Sequence, residues 1–450
     1  MRLSIPSISL TTVVALFYLS TSCPSTEALP APFLNKRSLP VSYTHHSVVR
    51  VNIQSEKQLK TLIDNEYSFH PDYFTHERNI GAYVDMRIAP ENMPKFQALN
   101  LKYEVLTNDL QAFLDQEQEQ DLLYQQQWDM LKMSKVSSNG GTMDAFASAE
   151  DWFQGYHNFK DSQDWLNTQI LNHASIASKF SAGKSVESRD LAGIKIGSGS
   201  KKIVIIGLQH AREWIATSVV QYIIDQLLSG SDRRVAGYLK KYTFHIIPIM
   251  NPDGYEYTWT TDRLWRKNRS PVTTERSCAG VDLNRNWDYA WGQAGASGNP
   301  CDDTYKGPKA FSEPETAGVA QYLRSLQSVS LFIDFHSYGQ YWMYPYNYAK
   351  STKDSGPANK AYLDSLANKA VSAVKAATGT QFTSGPGGDT LYLAAGVAMD
   401  YAQGNNFANA AFTVELRDTG AEGFVLSSQK IIPSGQETWA GVAAMLDNLV

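Results

Sequence analysis

The segment that decides the fold is residues 202–214, KIVIIGLQHAREW, in which a buried-strand pattern runs directly into His210 and Glu213. The branched apolar run predicts a strand, and the apolar periodicity of Ile215–Leu228 predicts a helix after it. A histidine and a glutamate three residues apart project to the same side of a helical turn, as two ligands of one Zn²⁺ would. The pair alone is weak evidence, because a surface ion pair or a core histidine explains a lone His-x-x-Glu more often.

Five further motifs follow in a fixed order. They are NPDGY at 251–255, LWRK at 264–267, GVDLNRN at 280–286, HSY at 336–338 and FTVELRDTG at 412–420. With the His-x-x-Glu segment, they resemble the zinc metallocarboxypeptidases of the carboxypeptidase A and B type. The resemblance runs from about Phe146 to the C-terminus. It implies an α/β/α catalytic domain with a mixed central sheet flanked by helices.

Composition and charge are typical of a globular protein. A length of 450 residues predicts at least two domains, and 43% hydrophobic residues with 12% aromatics are enough for packed cores. Charged residues make up 19%, and the net charge is −5 without a long basic run. We therefore expect neither nucleic acid nor anionic membrane as a partner, and no apolar run predicts a membrane span.

Residues 1–28 have the pattern of a secretory signal peptide. Met1-Arg2 precedes the apolar stretch Leu10–Leu19, and small and polar residues follow through Ala28. We therefore expect a secreted, extracellular protein. The dibasic pair Lys36-Arg37 is a candidate site for a kexin-type protease, although a solvated charge pair in a linker explains it as well.

Residues 41–108 predict a small separate α+β domain. Its expected elements are a strand, a helix, a strand, a helix and a strand, at Ser47–Ile53, Ser55–Asp64, Gly81–Ala89, Pro90–Leu99 and Lys102–Thr107. Two helices laid over an antiparallel sheet give a ferredoxin-like fold. This order resembles the inhibitory activation domain of the procarboxypeptidases, which covers the active-site cleft.

Residues 109–143 predict a connecting helix and an activation linker. The part rich in Gln, Glu and Leu favours a helix, and Ser134–Gly141 loses the periodicity, which predicts an exposed linker sensitive to proteases. Lys132 and Lys135 are candidate cleavage sites for a trypsin-like protease. An uncut linker in an enzyme that needs no processing is the alternative.

The catalytic domain is predicted to span residues 144–450 with an α/β pattern. Apolar runs such as Tyr242–Met250 and Leu331–Phe335 alternate with long helical patterns, so the sheet should be largely buried. The glycine-rich Gly197–Ser200 precedes a strand and does not lead from a strand into a helix. A hairpin turn therefore explains it better than nucleotide binding does.

The resemblance implies one Zn²⁺ per catalytic domain, held by His210, Glu213 and His336 with water in the open position. His336 follows a buried apolar run, where a lone histidine is usually structural. Asp282 matches the family carboxylate that orients the first zinc histidine, and an ordinary loop carboxylate is the alternative.

Glu415 and Arg266 are the candidate catalytic residues. Glu415 lies in the apolar run Ala411–Leu416, where an unpaired carboxylate is costly, so a functional role is expected, and a buried ion pair with Arg417 or another cation is the alternative. By resemblance, Glu415 is the general base that takes a proton from the zinc-bound water and delivers it to the leaving amine. Arg266 matches the arginine that stabilises the developing oxyanion.

Removal of a C-terminal residue requires recognition of a free α-carboxylate. By resemblance, Arg285 supplies a guanidinium fork, Asn284 supplies an amide donor, and Tyr392 closes over the bound residue. Three residues match positions that contact the peptide further along, namely Arg212, Tyr338 and Phe424. An aromatic side chain at such a position can equally be part of the core.

The residue at the base of the substrate pocket decides specificity in the family, where an aspartate selects C-terminal Lys or Arg. Counting through Tyr392 and Gly396 places Met399 there. The other lining positions are Met343, Ala394 and Thr413. This lining favours aliphatic or aromatic C-terminal residues. The segment Gly396–Gly404 is about two residues shorter than the usual pattern, and a slip of one residue would place Asp400 in the pocket.

Cys278 and Cys301 form an even pair once Cys23 leaves with the signal peptide, and an oxidising compartment favours a disulfide. The family closes a loop with cysteines at similar positions, so the resemblance implies a Cys278–Cys301 bond. It also implies cis peptide bonds at 337–338, 345–346 and 417–418. Asn268 begins a glycosylation sequon that the proline at 271 disfavours.

The predicted function is that of a secreted zinc carboxypeptidase, made as an inhibited precursor, that releases preferentially hydrophobic C-terminal residues. Its expected partners are peptide or protein C-termini and an activating trypsin-like or kexin-type protease, and we expect a monomer. Two other functions stay open. A non-catalytic binding protein on the same fold would typically lack a zinc ligand or the base. A different zinc amidohydrolase would lack the Asn284-Arg285 pair, whereas this chain has all of these residues.

Overall fold

The computed structural model describes residues 41–75, 80–138, 149–271, 278–352 and 356–450. Of residues 131–138 and 149–150 it describes only the backbone. The predicted signal peptide, the Lys36-Arg37 site and the end of the predicted linker lie outside these residues. Within the described ranges, no helix combines the length and the apolar character that crossing a membrane requires.

A four-stranded antiparallel sheet with two helices forms the N-terminal domain. Its elements are β1 (Ser47–Asn52), α1 (Glu56–Phe69), β2 (Asp72–Tyr73), β3 (Tyr83–Ile88), α2 (Met93–Gln97) and β4 (Tyr103–Thr107). The strand order β2-β3-β1-β4 is that of the predicted ferredoxin-like fold. Two details differ from prediction. The short β2 is additional, and α2 begins at Met93 and not at Pro90, because Pro94 takes the first-turn position that suits proline.

The helix α3 (Leu110–Ser138) connects this domain to the rest of the chain. It confirms the predicted connecting helix, but it continues through Ser134, so the first part of the predicted linker is helical. Lys132 and Lys135 both lie within this helix. Cleavage at either lysine would require the last turns of α3 to open, since proteases act on locally unfolded backbone.

The rest of the chain forms an α/β structure around an eight-stranded sheet. The strands are β5 (Ala177–Lys184), β6 (Asp190–Ile196), β7 (Lys201–Gly207), β8 (Tyr242–Ile247), β9 (Val329–His336), β10 (Tyr341–Tyr344), β11 (Thr383–Pro386) and β12 (Ala411–Glu415). The helices are α4 (Ala149–Trp152), α5 (Phe159–Asn172), α6 (Trp214–Ser229), α7 (Val235–Lys241), α8 (Pro252–Thr260), α9 (Pro314–Ser325), α10 (Lys360–Thr378), α11 (Gly387–Thr390), α12 (Ala398–Gly404) and α13 (Ile431–Leu446). Short 3-10 turns lie at Leu283–Arg285 and Ser428–Lys430.

The sheet is mixed, with the order β11-β10-β12-β9-β7-β8-β6-β5. The central strands β12, β9, β7 and β8 are parallel, and antiparallel pairings flank them on both sides. Alternate residues of β7 enter two different cores. Ile203 and Ile205 pack with residues of α6, whereas Val204 and Ile206 pack with residues of α9 and α12. Helices therefore cover both faces, which confirms the predicted mixed α/β/α architecture.

The predicted hairpin turn at Gly197–Ser200 is wrong. The strands β6 and β7 are not neighbours, because β8 lies between them, antiparallel to β6 and parallel to β7. The four residues carry the chain past the start of β8, where Gly199 N donates to Tyr242 O. A Cβ at Gly199 would lie 2.1 Å from the Tyr242 nitrogen, so close backbone approach explains this glycine.

Candidate active site

The carboxyl ends of three parallel strands meet at one edge of the large sheet. The strand β7 ends at Gly207, β9 ends at His336 and β12 ends at Glu415. Gly207 is paired with Phe335, and Glu415 is paired with His336. In open α/β sheets, ligands bind just outside these strand ends. The register therefore brings the two C-terminal motifs beside the turn that follows β7.

Three buried side chains at this edge form a group that could hold a metal ion: His210, Glu213 and His336. His336 Nδ1 lies 3.0 Å from both His210 Nδ1 and Glu213 Oε2, and His210 Nδ1 lies 2.7 Å from Glu213 Oε1. Ligand atoms of a tetrahedral zinc ion are about 3 to 3.5 Å apart, so these atoms already converge as such a site requires. Two imidazole nitrogens and a carboxylate oxygen also match the ligand set of catalytic zinc.

A tight turn, not a helix, brings His210 and Glu213 together. Leu208 has a positive φ of 58° directly after β7, and Glu213 N donates to His210 O at 3.2 Å. Helix α6 begins only at Trp214. The predicted placement on one side therefore holds, although the turn and not helical periodicity produces it.

The NPDGY motif supports this turn from below. Asn251 Nδ2 donates to Gln209 O at 3.0 Å and to Lys267 O at 3.1 Å. Ala211 N in turn donates to Arg266 O at 2.9 Å. The buried amide of Asn251 thus joins the segment that carries the first metal candidates to the segment that carries Arg266.

Each histidine presents its outer nitrogen to a buried carboxylate. His210 Nε2 lies 3.1 Å from Asp282 Oδ1, and His336 Nε2 lies 2.8 Å from Asp334 Oδ2. With Nε2 engaged in both rings, both Nδ1 atoms face the metal position. Although burial opposes the charged ring, Asp334 and Glu213 hold the pKa of His336 well above its usual range. Asp334 was not among the residues that the motifs singled out.

Arg266 is a buried cation that Asp282 orients. Its Nη2 and Nε donate to Asp282 Oδ2 at 2.9 and 3.2 Å, and its Nη1 lies 3.8 Å from Glu213 Oε1. Burial alone would raise the pKa of the Asp282 carboxyl, but Arg266 and His210 hold that pKa well below its usual range. A full negative charge therefore positions both the guanidinium and the imidazole.

Glu415 lies beside His336 and is not paired with Arg417. Arg417 instead donates to Glu437, with Nε and Oε1 2.6 Å apart, which removes Arg417 as the ion-pair partner of Glu415. Burial raises the pKa of the Glu415 carboxyl to about 8, against the lowering effect of His336 and Arg266. The positive charge of a metal ion at the neighbouring position would bring this pKa down again.

Asp282 also begins the 3-10 turn that carries Asn284. Its Oδ1 accepts the Asn284 N–H at 2.9 Å. Asn284 Oδ1 accepts the N–H of Ala398 at 2.9 Å, which fixes the orientation of the amide. The amide nitrogen therefore lies beside the His336 ring, with Nδ2 3.2 Å from its outer nitrogen Nε2.

Arg285 is buried beside Tyr392. Its Nε donates to Gly295 O at 2.8 Å and its Nη1 donates to Asn284 O at 2.7 Å. Its Nη2 lies 3.5 Å from the Tyr392 hydroxyl. The three residues predicted to hold a substrate carboxylate are thus brought together next to the metal group.

Both Met399 and Asp400 of helix α12 are fully buried, but Met399 belongs to the hydrophobic core that includes residues of α9, whereas Asp400 contacts backbone N–H groups. Both carboxylate oxygens of Asp400 accept the backbone N–H of Asn347, at 2.9 and 2.8 Å, and Tyr348 N donates at 3.0 Å. Burial raises the pKa of Asp400 to about 7, against the effect of these donors. The carboxylate of Asp400 is therefore engaged in hydrogen bonds with the backbone of residues 347–348.

The residues predicted to contact the peptide further along lie under the N-terminal domain. The Arg212 guanidinium carbon lies 4.2 Å from the ring centroid of Phe424, and the rings of Tyr338 and Phe424 are 5.0 Å apart. From the N-terminal domain, the ring of Phe74 lies 5.1 Å from that of Phe424, and Asp85 Oδ2 accepts the Tyr338 hydroxyl at 3.1 Å. The N-terminal domain thus covers Tyr338 and Phe424.

Cys278 and Cys301 form a disulfide, and the peptide bonds at 337–338, 345–346 and 417–418 are cis. The side chain of Asn268 is buried, and its Nδ2 donates to Glu313 at 2.7 Å and to Glu315 at 3.2 Å. A glycan would need that same amide nitrogen, so the structure agrees with the expectation that the sequon is disfavoured.

The fold and the site together define a class, a zinc-dependent hydrolase with its metal group at the carboxyl edge of a parallel sheet region. Comparison with known proteins narrows this class. The family described as zinc carboxypeptidase matches residues 163–441, and the carboxypeptidase activation peptide matches residues 49–117. The chain belongs to the zinc carboxypeptidase family, and it carries the activation peptide of a zymogen.

Individual relatives agree with the family match. A metallocarboxypeptidase A-like protein of Trichophyton verrucosum (strain HKI 0517) is 35% identical over 420 residues, which cover 91% of this chain and 94% of that protein. Carboxypeptidase B of Astacus astacus is 42% identical over 296 residues, covering 65% and 96%. The crystal structure of carboxypeptidase A from Helicoverpa armigera has a TM-score of 0.75 at 25% identity, covering 90% and 97%.

Proposed function

We propose that the chain removes single residues from the C-termini of peptides and proteins, with a preference for hydrophobic side chains. The observation that carries this proposal is the convergence of a metal group, a buried carboxylate and an arginine-amide pair at the ends of three parallel strands. Hydrolysis of an amide needs the metal group and the buried carboxylate. Only an enzyme that acts at a chain end needs a cationic fork for a free α-carboxylate.

His210, Glu213 and His336 are the proposed zinc ligands, with Asp282 as the carboxylate behind His210. The ligand atoms lie within 4.8 Å of one another, and all three side chains are buried. Zinc bound there supplies a Lewis acid that activates water and polarises the scissile carbonyl. Asp282 holds His210 in the tautomer that leaves Nδ1 free for ligation.

Glu415 is the proposed general base, and Arg266 is the proposed oxyanion donor. Glu415 takes a proton from the attacking water and passes it to the nitrogen of the leaving amine. Arg266 is held by Asp282 with its Nη1 on the side of the metal group, where the carbonyl oxygen becomes negative. A preorganised cation in a buried site stabilises that charge without reorganising during the reaction.

Arg285, Asn284 and Tyr392 are proposed to hold the substrate carboxylate. Arg285 can offer the planar pair of N–H groups that a carboxylate accepts, and Asn284 can add a single donor through Nδ2. The Tyr392 hydroxyl lies near Arg285 Nη2, so Tyr392 can contact the substrate carboxylate once that carboxylate binds Arg285. Arg212, Tyr338 and Phe424 are proposed to contact the residues that precede the scissile bond.

The preference for hydrophobic residues rests on Met399. Asp400 is the alternative residue for the base of the pocket. It is fully buried, and its carboxylate already accepts two backbone N–H groups. Met343 and Thr413 are paired across β10 and β12, and together with Ala394 they form a set of side chains without a charge. Because the names of the relatives include both A and B types, the similarity alone does not decide between the two specificities.

Release of the last residue from blocked peptides ending in Phe, Leu, Lys or Glu tests this specificity after limited trypsin treatment. We expect kcat/KM for Phe and Leu to exceed that for Lys by about 100-fold, because a buried apolar pocket rejects a charge. The Met399→Asp variant should gain Lys release and lose Phe release. Preferred Lys release by the unchanged chain would mean that Asp400 reaches the pocket.

Replacement of Glu415 tests the mechanism separately from binding. Glu415→Gln keeps the shape of the side chain but cannot take the proton, so we expect kcat to fall by about 10²- to 10⁴-fold. Zinc content, measured by atomic absorption, should stay at one ion per chain. Glu256→Gln, on α8, is the control and should keep full activity. A decrease in kcat of less than tenfold would rule out Glu415 as the base.

The arrangement of the whole chain fits a secreted precursor. We propose a signal peptide at 1–28, an inhibitory domain at 41–108, a connecting helix and linker at 109–143, and a catalytic domain at 144–450 that acts as a monomer. Coverage of Tyr338 and Phe424 by the N-terminal domain supports inhibition by blocked access. Cleavage by a trypsin-like or kexin-type protease would then release the site.

A further inference from the structure

Asp334 lies directly behind His336 in the interior of the protein. Side chains alternate along a strand, so residues 334 and 336 point to the same face of β9. Asp334 Oδ2 lies 2.8 Å from His336 Nε2, and both side chains are fully buried. We propose that Asp334 is a second positioning residue of the metal site, which holds His336 with Nδ1 directed at the metal. This inference rests on the proposed ligation of zinc by His336.

The contact engages the nitrogen of His336 that a metal ion does not use. A neutral imidazole carries one proton, and a carboxylate that accepts it on Nε2 leaves the lone pair on Nδ1. That atom faces His210 Nδ1 and Glu213 Oε2, each at 3.0 Å. A carboxylate behind a ligating histidine fixes the ring plane and makes the ligating nitrogen more basic.

Asp334 is committed to fewer partners than Asp282. Asp282 is shared by His210, by two N–H groups of Arg266 and by a backbone N–H. Besides His336, Asp334 has one other side-chain donor, and its buried Oδ1 has no hydrogen-bond partner among the described residues. A half-satisfied buried carboxylate is costly. The cost is offset where the charge faces a cation, and here the metal position lies just beyond the imidazole.

Gln209 completes a chain of hydrogen bonds behind the metal group. Its Nε2 donates to Asp334 Oδ2 at 2.6 Å, and its Oε1 accepts the indole N–H of Trp287 at 3.0 Å. An indole nitrogen can only donate, so it fixes which end of the Gln209 amide faces Asp334. Gln209 directly precedes His210, so this chain joins the turn that carries one histidine to the strand that carries His336.

The same arrangement leaves Asn284 available to the substrate. Asn284 Nδ2 lies 3.2 Å from His336 Nε2, but an amide N–H cannot donate to a nitrogen that already carries a proton. With that proton directed at Asp334, the amide stays a donor for the carboxylate of a bound peptide. Asp334 therefore keeps the metal ligand and the carboxylate-binding amide from engaging each other.

Transfer of zinc from the full chain to a chromophoric chelator at neutral pH tests the proposal. We expect Asp334→Asn to weaken zinc affinity by about 10- to 100-fold, the usual effect of losing such a partner. Asp400→Asn makes the same change at another fully buried carboxylate away from the metal group, and its zinc affinity should stay within twofold of the unchanged chain. Thermal unfolding of the zinc-free proteins reports stability separately. If Asp334→Asn lowers only that stability and keeps its zinc affinity, Asp334 is structural and the proposal is wrong.

Two further variants keep the test decisive. If Asp334→Asn does not fold, Gln209→Leu is used in its place. Gln209→Leu keeps the Asp334 carboxylate but removes the amide donor that orients this carboxylate. Faster zinc loss from Gln209→Leu supports the proposal, and an unchanged rate contradicts it. His336→Ala tests the underlying assignment. If this variant keeps zinc, the proposed ligand set is wrong; if it loses zinc while Asp334→Asn keeps it, only the positioning role is wrong.

Discussion

Among single residues, the buried carboxylates differ in what compensates their charge. Asp282 faces a guanidinium and an imidazole, which hold its pKa low despite burial. Asp400 and Glu315 are met by N–H donors, and burial raises the pKa of both to about 7. Glu415 also has a raised pKa, and it lies beside His336 at the end of a parallel strand. A metal ion in the neighbouring group would lower this pKa, so that the carboxylate could accept a proton at neutral pH.

Glu315 should make stability depend on pH. Burial raises its folded pKa from 4.5 to about 7, against the lowering effect of the backbone N–H groups. Between these values the folded state binds more protons than the unfolded state, so stability falls as pH rises from about 4.5 to 7 and levels off above 7. A shift of this size corresponds to at most about 3 kcal/mol.

Glu315→Gln removes that titration while it keeps the size of the side chain. Relative to the unchanged chain, the variant should gain up to about 3 kcal/mol in free energy of unfolding between pH 4.5 and pH 7.5. Urea unfolding of the zinc-free chain at several pH values measures the difference. Glu104→Gln, at an exposed carboxyl of β4, should show a constant difference across the same range. A constant difference for Glu315→Gln as well would contradict the assigned pKa.

Among the elements, α3 contributes one partner of a buried ion pair with the catalytic domain. Arg263 Nε and Nη2 donate to the two oxygens of Glu117 at 2.7 Å each. The guanidinium also donates to Arg212 O at 2.9 Å and Phe424 O at 2.8 Å, and its carbon lies 3.7 Å from the Trp214 ring centroid. Docking of α3 therefore also supports the backbone of two residues proposed to bind the peptide.

Glu117→Gln should loosen α3 without changing its helical propensity. Removing one partner of a buried pair leaves an uncompensated charge, which costs about 3 to 5 kcal/mol. We expect amide hydrogen exchange in residues 110–125 to become at least about tenfold faster. Glu119→Gln, two residues along the same helix but exposed, should leave the exchange unchanged. Equal exchange in both variants would show that the pair does not hold the helix.

Strand ends explain which parts of the site the sequence predicts. The motifs containing His210, His336 and Glu415 follow apolar runs, and parallel strands bring such ends together, so the metal group and its neighbours can be anticipated. The argument that singled out Glu415, a carboxylate inside an apolar strand, applies equally to Asp334 and would have found it. Pairing between distant segments leaves no local signal in the sequence. The position of β8 between β6 and β7 therefore could not be predicted, and neither could the hydrogen bonds from residues 347–348 to Asp400.

On the scale of the whole molecule, no hydrogen bond among the described residues joins the N-terminal domain directly to His210, Glu213 or His336. Contacts from the domain reach Arg212, Tyr338 and Phe424, whereas the hydrogen bonds described for His210 and His336 stay within the catalytic domain. The metal group is thus already assembled beneath the covering domain. We propose that the covering domain inhibits by occupying the path of the peptide, so loosening the cover should be enough to reveal activity without cleavage.

Replacement of Phe74 tests whether the covering domain inhibits by blocking the path of the peptide. Its ring packs on Phe424 and lies 5.5 Å from the Arg212 guanidinium carbon, and it belongs to the hydrophobic cluster at the domain boundary, not to the core of its own domain. Phe74→Ala should therefore weaken the cover without unfolding the domain. Losing about 1.5 to 3 kcal/mol of burial raises the open fraction, and with it kcat/KM of the uncut chain, roughly 10- to 100-fold.

The measurement compares the rates at which the uncut variants hydrolyse a peptide ending in Phe. Mass spectrometry shows that the chains are uncut. Tyr67→Ala removes an aromatic ring that is 76% exposed on α1, and it should leave the uncut chain as inactive as before. After full trypsin activation all three proteins should have the same kcat/KM, because the substituted domain is no longer attached. If uncut Phe74→Ala is no more active than the unchanged chain while the activated enzymes agree, the cover does not act through this contact. Inhibition would then have to depend on the Asp85 contact with Tyr338 or on the helix α3.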